Sequence, residues 1–280
     1  MNVQFNKSFS NDYKAKYIIF FDFDETYFPH ECTDELLSHL KELEEYLQKL
    51  VHEHYVKVGW VTGSDLLQVA HKTKRANLSF SPHFIASNLG TELHHVNDRD
   101  LLFNKEWGDR LIKSGFSHSI VTDIVTELYN VYHIKLVEQT QLGQRSYKCN
   151  YYYFWKSHAQ SRYDLRIIRH LAASNGLGIN INRCNPKAGD PADAFDIDFI
   201  PLNAGKKEIV TFMTRYYQVP FTNTIAFGDS GNDIEMLRAV EYGYLLANAT
   251  DEAKSLHASI TKGTYSLGIL ETLRKIFSND

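Results

Sequence analysis

The stretch Ile18-Ile19-Phe20-Phe21-Asp22-Phe23-Asp24-Glu25-Thr26 decides the fold, because an apolar run breaks into two aspartates that are one residue apart. Residues 17–21 are β-branched or aromatic and have the length of a strand buried on both faces, which is typical of a parallel sheet. In open α/β sheets, ligands bind beyond the carboxyl ends of the strands, where Asp22 and Asp24 lie. The pair is therefore either a reactive centre or a turn and helix cap.

The patterns that flank this stretch predict an α/β protein with a doubly wound parallel sheet. Leucines at helical spacing predict a helix over residues 33–52, capped by Thr33 or Asp34, and a strand at 56–61, a helix at 65–73 and a strand at 84–87 follow. The same rhythm returns later in the chain. It predicts strands at 195–200, 224–227 and 242–247 and helices at 206–217, 233–239 and 267–277.

Residues from about 91 to 195 differ from this pattern, since charged and aromatic segments are mixed there. Helical patterns occupy 119–132 and 161–174, and strand-like runs occupy 134–139 and 147–154. Strands and helices that are not strictly alternating favour a separate α+β domain. We therefore predict a Rossmann-like core from residues 1–90 and 200–280, with residues 91–199 as an inserted domain.

Composition excludes several classes of function. The chain has 280 residues, of which 43% are hydrophobic and 23% charged, and its formal net charge of -4 gives no basic surface for nucleic acid. Residues 1–16 lack the apolar core of a signal peptide, and no stretch approaches the about 20 apolar residues of a membrane span. Three widely spaced cysteines suggest buried or unreactive thiols. We expect a cytoplasmic protein without nucleic-acid or membrane partners.

Four polar pieces follow predicted strands or begin predicted helices, and together they suit phosphoryl transfer. They are Asp22-Phe23-Asp24-Glu25-Thr26, Thr62-Gly63-Ser64, Lys206 and Gly228-Asp229-Ser230-Gly231-Asn232-Asp233. Each piece alone has an ordinary explanation as a turn, a surface lysine or a helix cap. Their common placement makes that explanation weak for the set.

The chemistry of such a set assigns a role to each piece. Asp22 would attack phosphorus and become an aspartyl phosphate, and Asp24 would protonate the leaving alcohol and then deprotonate water. Thr62, Gly63 and Lys206 would bind the phosphoryl oxygens. Clustered carboxylates with hard oxygen ligands favour Mg²⁺ as cofactor. Its expected ligands are the carboxylates of Asp22 and Asp229 and the backbone carbonyl of Asp24, with Asp233 in support.

These pieces resemble the four motifs of the haloacid dehalogenase superfamily of phosphatases, over residues of about 17 to 90 and 200 to 280. The resemblance implies a Rossmann-like core, Mg²⁺ dependence and an inserted C2-type cap that closes over small phosphorylated metabolites, as in the Cof-like and sucrose-phosphate-phosphatase-like branch. It also implies supporting roles for Thr26, Ser230 and Asn232. Lys207 stands where many relatives have glycine, so the sequence leaves open which lysine faces the site, and the motif favours Lys206.

The inserted domain resembles that branch more loosely. Residues 147–151 are similar to a cap strand that contacts sugars, which implies a sugar-binding role for Lys148, with Arg183, Asn185 and Lys187 on a polar loop nearby. The resemblance implies a small-molecule sugar phosphate as substrate, in particular an amino-sugar 6-phosphate. The alternative for Lys148 is a solvated charge on a strand.

Two other functions would use the same nucleophile. A sugar phosphomutase or phosphotransferase would pass the phosphoryl group to a second sugar hydroxyl, and would release almost no free phosphate. A phospho-accepting signalling module would keep phosphorylated Asp22 as a switch. That last function leaves Asp24 and the large insertion unused.

Overall fold

The protein is described by a computed structural model that covers residues 5–98, 100–139, 145–184, 186 and 189–278. The chain divides into two compact units. We call Met1–Lys105 with Lys206–Asp280 the core unit and Glu106–Gly205 the inserted unit. The elements in chain order are β1 (Tyr17–Phe21), α1 (Asp34–His54), β2 (Val56–Val61), α2 (Leu66–Arg75), β3 (Phe84–Ser87), β4 (Glu92–Asn97), β5 (Asp100–Phe103), α3 (Lys105–Ile112), α4 (His118–Asn130), β6 (Val137–Glu138), β7 (Cys149–Phe154), α5 (His158–Ser174), β8 (Leu177–Arg183), β9 (Ala194–Pro201), α6 (Lys206–Tyr216), β10 (Thr224–Gly228), α7 (Ile234–Leu237), β11 (Tyr242–Leu245), α8 (Asp251–Leu256) and α9 (Tyr265–Phe277).

The described residues of the core unit form a seven-stranded sheet with strand order β11-β10-β1-β2-β3-β4-β5. The pairs from β11 to β3 are parallel, whereas β4 and β5 run antiparallel to their neighbours. The chain passes from β1 outward to β3 and returns on the other side as β10 and β11. This confirms the predicted Rossmann-like, doubly wound class. The strand order reverses between β1 and β10, and ligands of doubly wound sheets bind at such a topological switch point.

Alternate residues of the central strands build a core with the helices. Ile19 and Phe21 of β1 share one buried cluster with Leu43 and Leu47 of α1 and Leu270 of α9. Burial of such side chains is the main favourable contribution to folding, at about 25 cal/mol per Å² of apolar surface. Polar residues follow the carboxyl ends of these buried strands, and this edge of the sheet is where reactive groups can lie.

Residues 91–103 were predicted to belong to the insertion, and the structure corrects this. β4 pairs antiparallel with β3, and β5 pairs with β4, so both extend the core sheet. Leu93 and Val96 of β4 are fully buried, which explains why the segment folds onto the sheet edge. The compact units divide after Lys105 and after Gly205, beyond the predicted positions 90 and 199.

The described residues of the inserted unit form a four-stranded antiparallel sheet of order β6-β7-β9-β8. One face packs against α4 and α5 through a buried cluster that includes Ile124, Ile168, Tyr153 and Phe199. This arrangement is the predicted α+β insertion. The opposite face carries polar side chains on adjacent strands, among them Asn150, Asn180, Asp196 and Asp198.

The strand predicted at residues 195–200 was assigned to the returning βα rhythm of the core, and that assignment is wrong. Residues 194–201 form β9 at the centre of the inserted sheet, antiparallel to both β7 and β8. The reason is its alternation: Phe195, Ile197 and Phe199 face the helices, whereas Asp196 and Asp198 face away. A strand buried on both faces of a parallel sheet would not alternate in this way.

One predicted boundary is confirmed and another is corrected. Thr33 caps α1, since its Oγ1 accepts a hydrogen bond from the N–H of Leu36 at 3.3 Å. The run predicted at 134–139 forms a strand only at Val137–Glu138.

Among the described residues, no helix combines the length and the apolar character needed to cross a bilayer.

Candidate active site

Three adjacent strands bring the predicted site residues to one edge of the core sheet. Asp22 follows β1, Thr62 follows β2 and Asp229 follows β10, and these strands lie side by side in the order β10-β1-β2. Because the strands are parallel, their carboxyl ends meet at the same edge. The Asp22 N–H continues the ladder by donating to the carbonyl oxygen of Phe227 at 2.9 Å.

Lys206 joins two buried carboxylates at this edge. Its Nζ lies 2.5 Å from Oδ1 of Asp22 and 2.6 Å from Oδ1 of Asp233, and all three residues are at most 5% exposed. Lys207 instead lies on the surface, 3.7 Å from Glu235, with over half of its side chain exposed. The geometry therefore selects Lys206 as the lysine that faces the carboxylates.

The loop after β10 holds Asp233 in place through its backbone. Oδ2 of Asp233 accepts hydrogen bonds from the N–H groups of Asp229 and Ser230, both at 3.0 Å. A side chain at Gly228 would collide with this carboxylate, since a Cβ there would lie 2.6 Å from Cγ of Asp233. The glycine is thus required for close packing. Ser230 Oγ also donates to Oδ1 of Asn232 at 3.0 Å, so these predicted supporting residues stabilise the loop.

Thr26 supports the carboxylate of Asp229, which belongs to the same cluster. It is fully buried, and its Oγ1 donates to Oδ1 of Asp229 at 3.1 Å. The carboxylates of Asp22, Asp229 and Asp233 each offer an oxygen, and these oxygens lie within 4.8 Å of one another. A hard, oxygen-only donor set of this kind fits Mg²⁺.

Burial and mutual repulsion perturb the titration of this cluster. Burial, opposed by Lys206 and reinforced by Asp233, raises the pKa of Asp22 to about 7. Burial and the neighbouring Asp22 raise the pKa of Asp229 well above its usual value. Burial would lower the pKa of Lys206, but Asp22 and Asp233 outweigh it and raise that pKa. The cluster carries more negative charge than one ammonium balances, which a divalent cation would relieve.

The loop after β2 brings hydroxyl groups toward Asp24. Thr62 Oγ1 accepts from the N–H of Ser64 at 3.0 Å, and Ser64 Oγ donates to Oδ2 of Asp24 at 2.7 Å. Backbone N–H groups of Asn88 and Leu89, both in the left-handed region, donate to the carbonyls of Ser64 and Thr62. The turn around Gly63 is therefore fixed by the end of β3.

Two residues near Asp24 were not predicted from the sequence. His30 Nε2 lies 2.9 Å from Oδ1 of Asp24, and Lys72 Nζ contacts the same oxygen. Burial would raise the pKa of Asp24, but the hydrogen bond from His30 and the charge of Lys72 outweigh it and lower that pKa. Neither residue has a sequence signal: His30 is one of 13 scattered histidines, and Lys72 lies on an ordinary amphipathic helix.

The predicted sugar-binding residues lie in the inserted unit. Lys148 is 4% exposed, and its Nζ lies 3.8 Å from Oδ1 of Asp198, so it is not the solvated charge that was the alternative. Asn150 and Asn180 also donate to Asp198. Arg183 is exposed at the end of β8, whereas Asn185 and Lys187 lie outside the described residues.

A doubly wound core of this kind, with an α+β insertion and an Asp-x-Asp pair after its first strand, defines a phosphatase of the haloacid dehalogenase superfamily. Within that class, the chain belongs to the sucrose-6F-phosphate phosphohydrolase family, whose model matches residues 15–276. The family resemblance seen in the sequence is thus confirmed.

Individual proteins are also similar to this chain over almost its whole length. The chain is 44% identical over 274 residues to the kanosamine-6-phosphate phosphatase of Bacillus subtilis, covering 98% of this chain and 97% of that protein. It superposes on the crystal structure of a haloacid dehalogenase-like hydrolase from Bacillus subtilis with a TM-score of 0.76 and 42% identity, covering 97% and 95% of the two chains. The sucrose-phosphatase of Synechocystis, solved with sucrose and phosphate, shares the fold with a TM-score of 0.72 at 17% identity, over 93% and 98% of the two chains.

Proposed function

We propose that the protein is a Mg²⁺-dependent phosphatase of a sugar phosphate, with an amino-sugar 6-phosphate such as kanosamine 6-phosphate as substrate. The observation that carries the proposal is the buried contact of Lys206 with Asp22 and Asp233, with Asp229 beside them, at the switch point of the sheet. Full-length similarity to a kanosamine-6-phosphate phosphatase supports the choice of sugar.

The first half of the reaction transfers the phosphoryl group to Asp22. A carboxylate oxygen of Asp22 attacks phosphorus, the bond between phosphorus and the sugar oxygen breaks, and that oxygen receives a proton from Asp24. The Thr62 hydroxyl, the Gly63 N–H and the Lys206 ammonium donate to the phosphoryl oxygens as charge moves onto them. Because its surroundings favour the ionised form of Asp24, the carboxyl must take up its proton while substrate is bound.

The second half hydrolyses the aspartyl phosphate. Ionised Asp24 takes a proton from water, the water oxygen attacks phosphorus, and the bond from phosphorus to Asp22 breaks to release inorganic phosphate. The hydrogen bonds from Ser64 and His30 favour this ionised form.

The cation would be held by the carboxylates of Asp22 and Asp229 and the backbone carbonyl of Asp24, with Asp233 supporting them. When bound, it supplies positive charge that lowers the pKa of Asp22 and neutralises the phosphoryl oxygens. The ammonium of Lys206 would still supply the protein's own positive charge beside these carboxylates. Lys148, Arg183 and Asn185 are the proposed contacts of the sugar.

A phosphate-release screen over hexose, amino-sugar and disaccharide phosphates with Mg²⁺ tests the reaction class and the substrate together. We expect the fastest release from an amino-sugar 6-phosphate. Asp22→Asn, which is nearly isosteric, should lose turnover by several orders of magnitude while still folding cooperatively.

Three results would contradict the proposal. Isomerised sugar phosphate without free phosphate would indicate a mutase, and a long-lived phosphoprotein would indicate a signalling module. Activity of Asp22→Asn within about tenfold of the unmodified protein would reject the nucleophile.

A further inference from the structure

The carboxylate of Asp24 is held by side chains from three separate segments of the core unit. Oδ1 contacts Nε2 of His30 at 2.9 Å and also Nζ of Lys72. Oδ2 accepts from Ser64 Oγ at 2.7 Å and more distantly from Thr62 Oγ1 at 3.4 Å. An aspartate side chain has two free torsions, and donors on both oxygens restrict both of them.

His30 is itself fixed from its other side. Its Nδ1 lies 2.9 Å from Oε1 of Glu25, so one imidazole bridges two consecutive acidic residues. Its ring lies edge-on to Phe28, with centroids 5.9 Å apart. Glu25 has a φ of 57°, a conformation that is costly for a residue other than glycine and persists only where neighbours enforce it. His30 thus closes the loop that carries Asp24.

Lys72 reaches Asp24 from the third segment, helix α2. Its Nζ also donates to Ser64 Oγ at 3.0 Å, so the lysine contacts Ser64 as well as the Asp24 oxygen that Ser64 does not contact. The start of α2 is fixed by a capping box between Asp65 and Gln68. Lys74, two residues further along the same helix, is exposed. Among the described residues, its side chain contacts no carboxylate.

We propose that His30 and Lys72 are positioning residues that fix the Asp24 carboxyl for proton transfer to and from the reacting oxygens. The inference rests on the proposed function, in which Asp24 is the acid and base. Proton transfer needs the carboxyl within hydrogen-bond reach of the leaving oxygen, and a misplacement of about 1 Å can cost about 100-fold in rate. Neither residue needs to touch the substrate for this role.

The test compares two substrates that differ in their need for an acid. The first is the alkyl phosphate hydrolysed fastest in the screen, and the second is an aryl phosphate whose leaving group departs without a proton. We expect His30→Leu and Lys72→Met to lower kcat/KM about 10- to 100-fold on the alkyl phosphate and to change kcat/KM on the aryl phosphate much less, because kcat/KM reports on release of the leaving group and not on the later hydrolysis of the aspartyl phosphate. Lys74→Met is the matched control on the same helix and should leave both values unchanged.

Two further variants separate positioning from a structural role. His30→Gln should recover part of the lost alkyl-phosphate activity, because its amide N–H can replace the imidazole Nε2–H; it also serves if His30→Leu fails to fold. In the Asp24→Asn background, His30→Gln and Lys72→Met should cause little further loss, since they act through Asp24.

Equal losses of kcat/KM on both substrates, or a full further loss in the Asp24→Asn background, would overturn the positioning role. If Asp24→Asn itself lowered kcat/KM equally on both substrates, the acid role in the proposed function would fail, and the positioning role with it. If Asp24→Asn discriminates between the substrates while the His30 and Lys72 variants do not, only the positioning role fails.

Discussion

Lys206 offers the sharpest test of the site, because it is the cation that contacts two carboxylates of the buried cluster. We consider Lys206→Met, which keeps most of the length of the side chain and removes the ammonium. The Nζ contacts at 2.5 and 2.6 Å are then lost, and Asp22 and Asp233 remain buried beside Asp229. Both the stability and the chemistry of the core unit should respond.

The size of the effect follows from charge and burial. Removal of one partner of a buried ion pair typically costs about 3–5 kcal/mol of unfolding free energy, because the other charge is left uncompensated. At separations of up to 4.8 Å, two like charges repel by about 3.5 kcal/mol or more at an effective dielectric constant of about 20. The carboxylates would therefore take up protons, so the loss of stability should be larger at pH 8 than at pH 6. Added Mg²⁺ should reduce it.

The assay is denaturant unfolding at both pH values, with EDTA and with Mg²⁺, together with phosphate release. We expect kcat to fall at least about 100-fold, as when a donor to developing charge is removed. The matched control is Lys207→Met, the next residue on α6, whose exposed side chain lies 3.7 Å from Glu235. It should change stability by less than about 0.5 kcal/mol and leave kcat unaltered.

If Lys206→Met and Lys207→Met behaved alike in unfolding and in kcat, the charge balance described for the cluster would be refuted. A stability loss that did not depend on pH would refute the argument that unpaired carboxylates cause it. A loss of kcat without loss of stability would show that the ammonium acts on substrate but does not compensate the buried carboxylates.

Three further predictions concern metal, pH and the sugar. EDTA should abolish activity, with recovery by Mg²⁺ and poor recovery by Ca²⁺; full activity after removal of all metal would reject the metal site. Burial lowers the pKa of His83 to about 3, so the unfolded chain protonates this residue first, and His83 by itself should lower the unfolding free energy by about 2 kcal/mol from pH 7 to pH 5. His83→Gln should reduce this fall, and an unchanged pH dependence would contradict the assignment. Lys148→Ala should lower kcat/KM on the sugar phosphate by an amount equivalent to about 1–3 kcal/mol of activation free energy, but should not lower it on an aryl phosphate. Parallel changes on the two substrates would show that Lys148 does not contact the sugar.

The strands that position the core site could be predicted because their signals are local. The apolar runs at 17–21 and 224–227 end in polar residues that sit next to one another only if the strands pair, and parallel pairing follows from the alternation with helices. The four polar pieces then converge from their placement alone. That is why the sequence could predict that Asp22, Thr62, Lys206 and Asp229 come together at one edge of the sheet.

Pairing partners are harder to predict, because a strand pattern does not name its neighbour. The segment at 195–200 alternates Phe195, Asp196, Ile197, Asp198 and Phe199, and this period of two is typical of a sheet with one polar face. The alternation could have placed β9 in the antiparallel sheet of the insertion. The hairpin at 92–103 has weaker signals, since His94, His95 and Asp98 interrupt its apolar residues.

The residues that surround Asp24 show a different limit. His30 and Lys72 are 6 and 48 positions away along the chain, and each contact joins a single side chain to a single carboxylate. No periodicity or motif encodes such contacts; they follow only once the loop after β1 and helix α2 are both in place. Asp22, the proposed nucleophile, directly follows strand β1, and Lys206 begins helix α6, whereas Asp24, the proposed acid, is held by side chains from three separate segments. Substitutions that tune the proposed proton transfer should therefore be sought around Asp24, because they should alter the leaving-group step while the contacts of Lys206 with Asp22 and Asp233 stay in place.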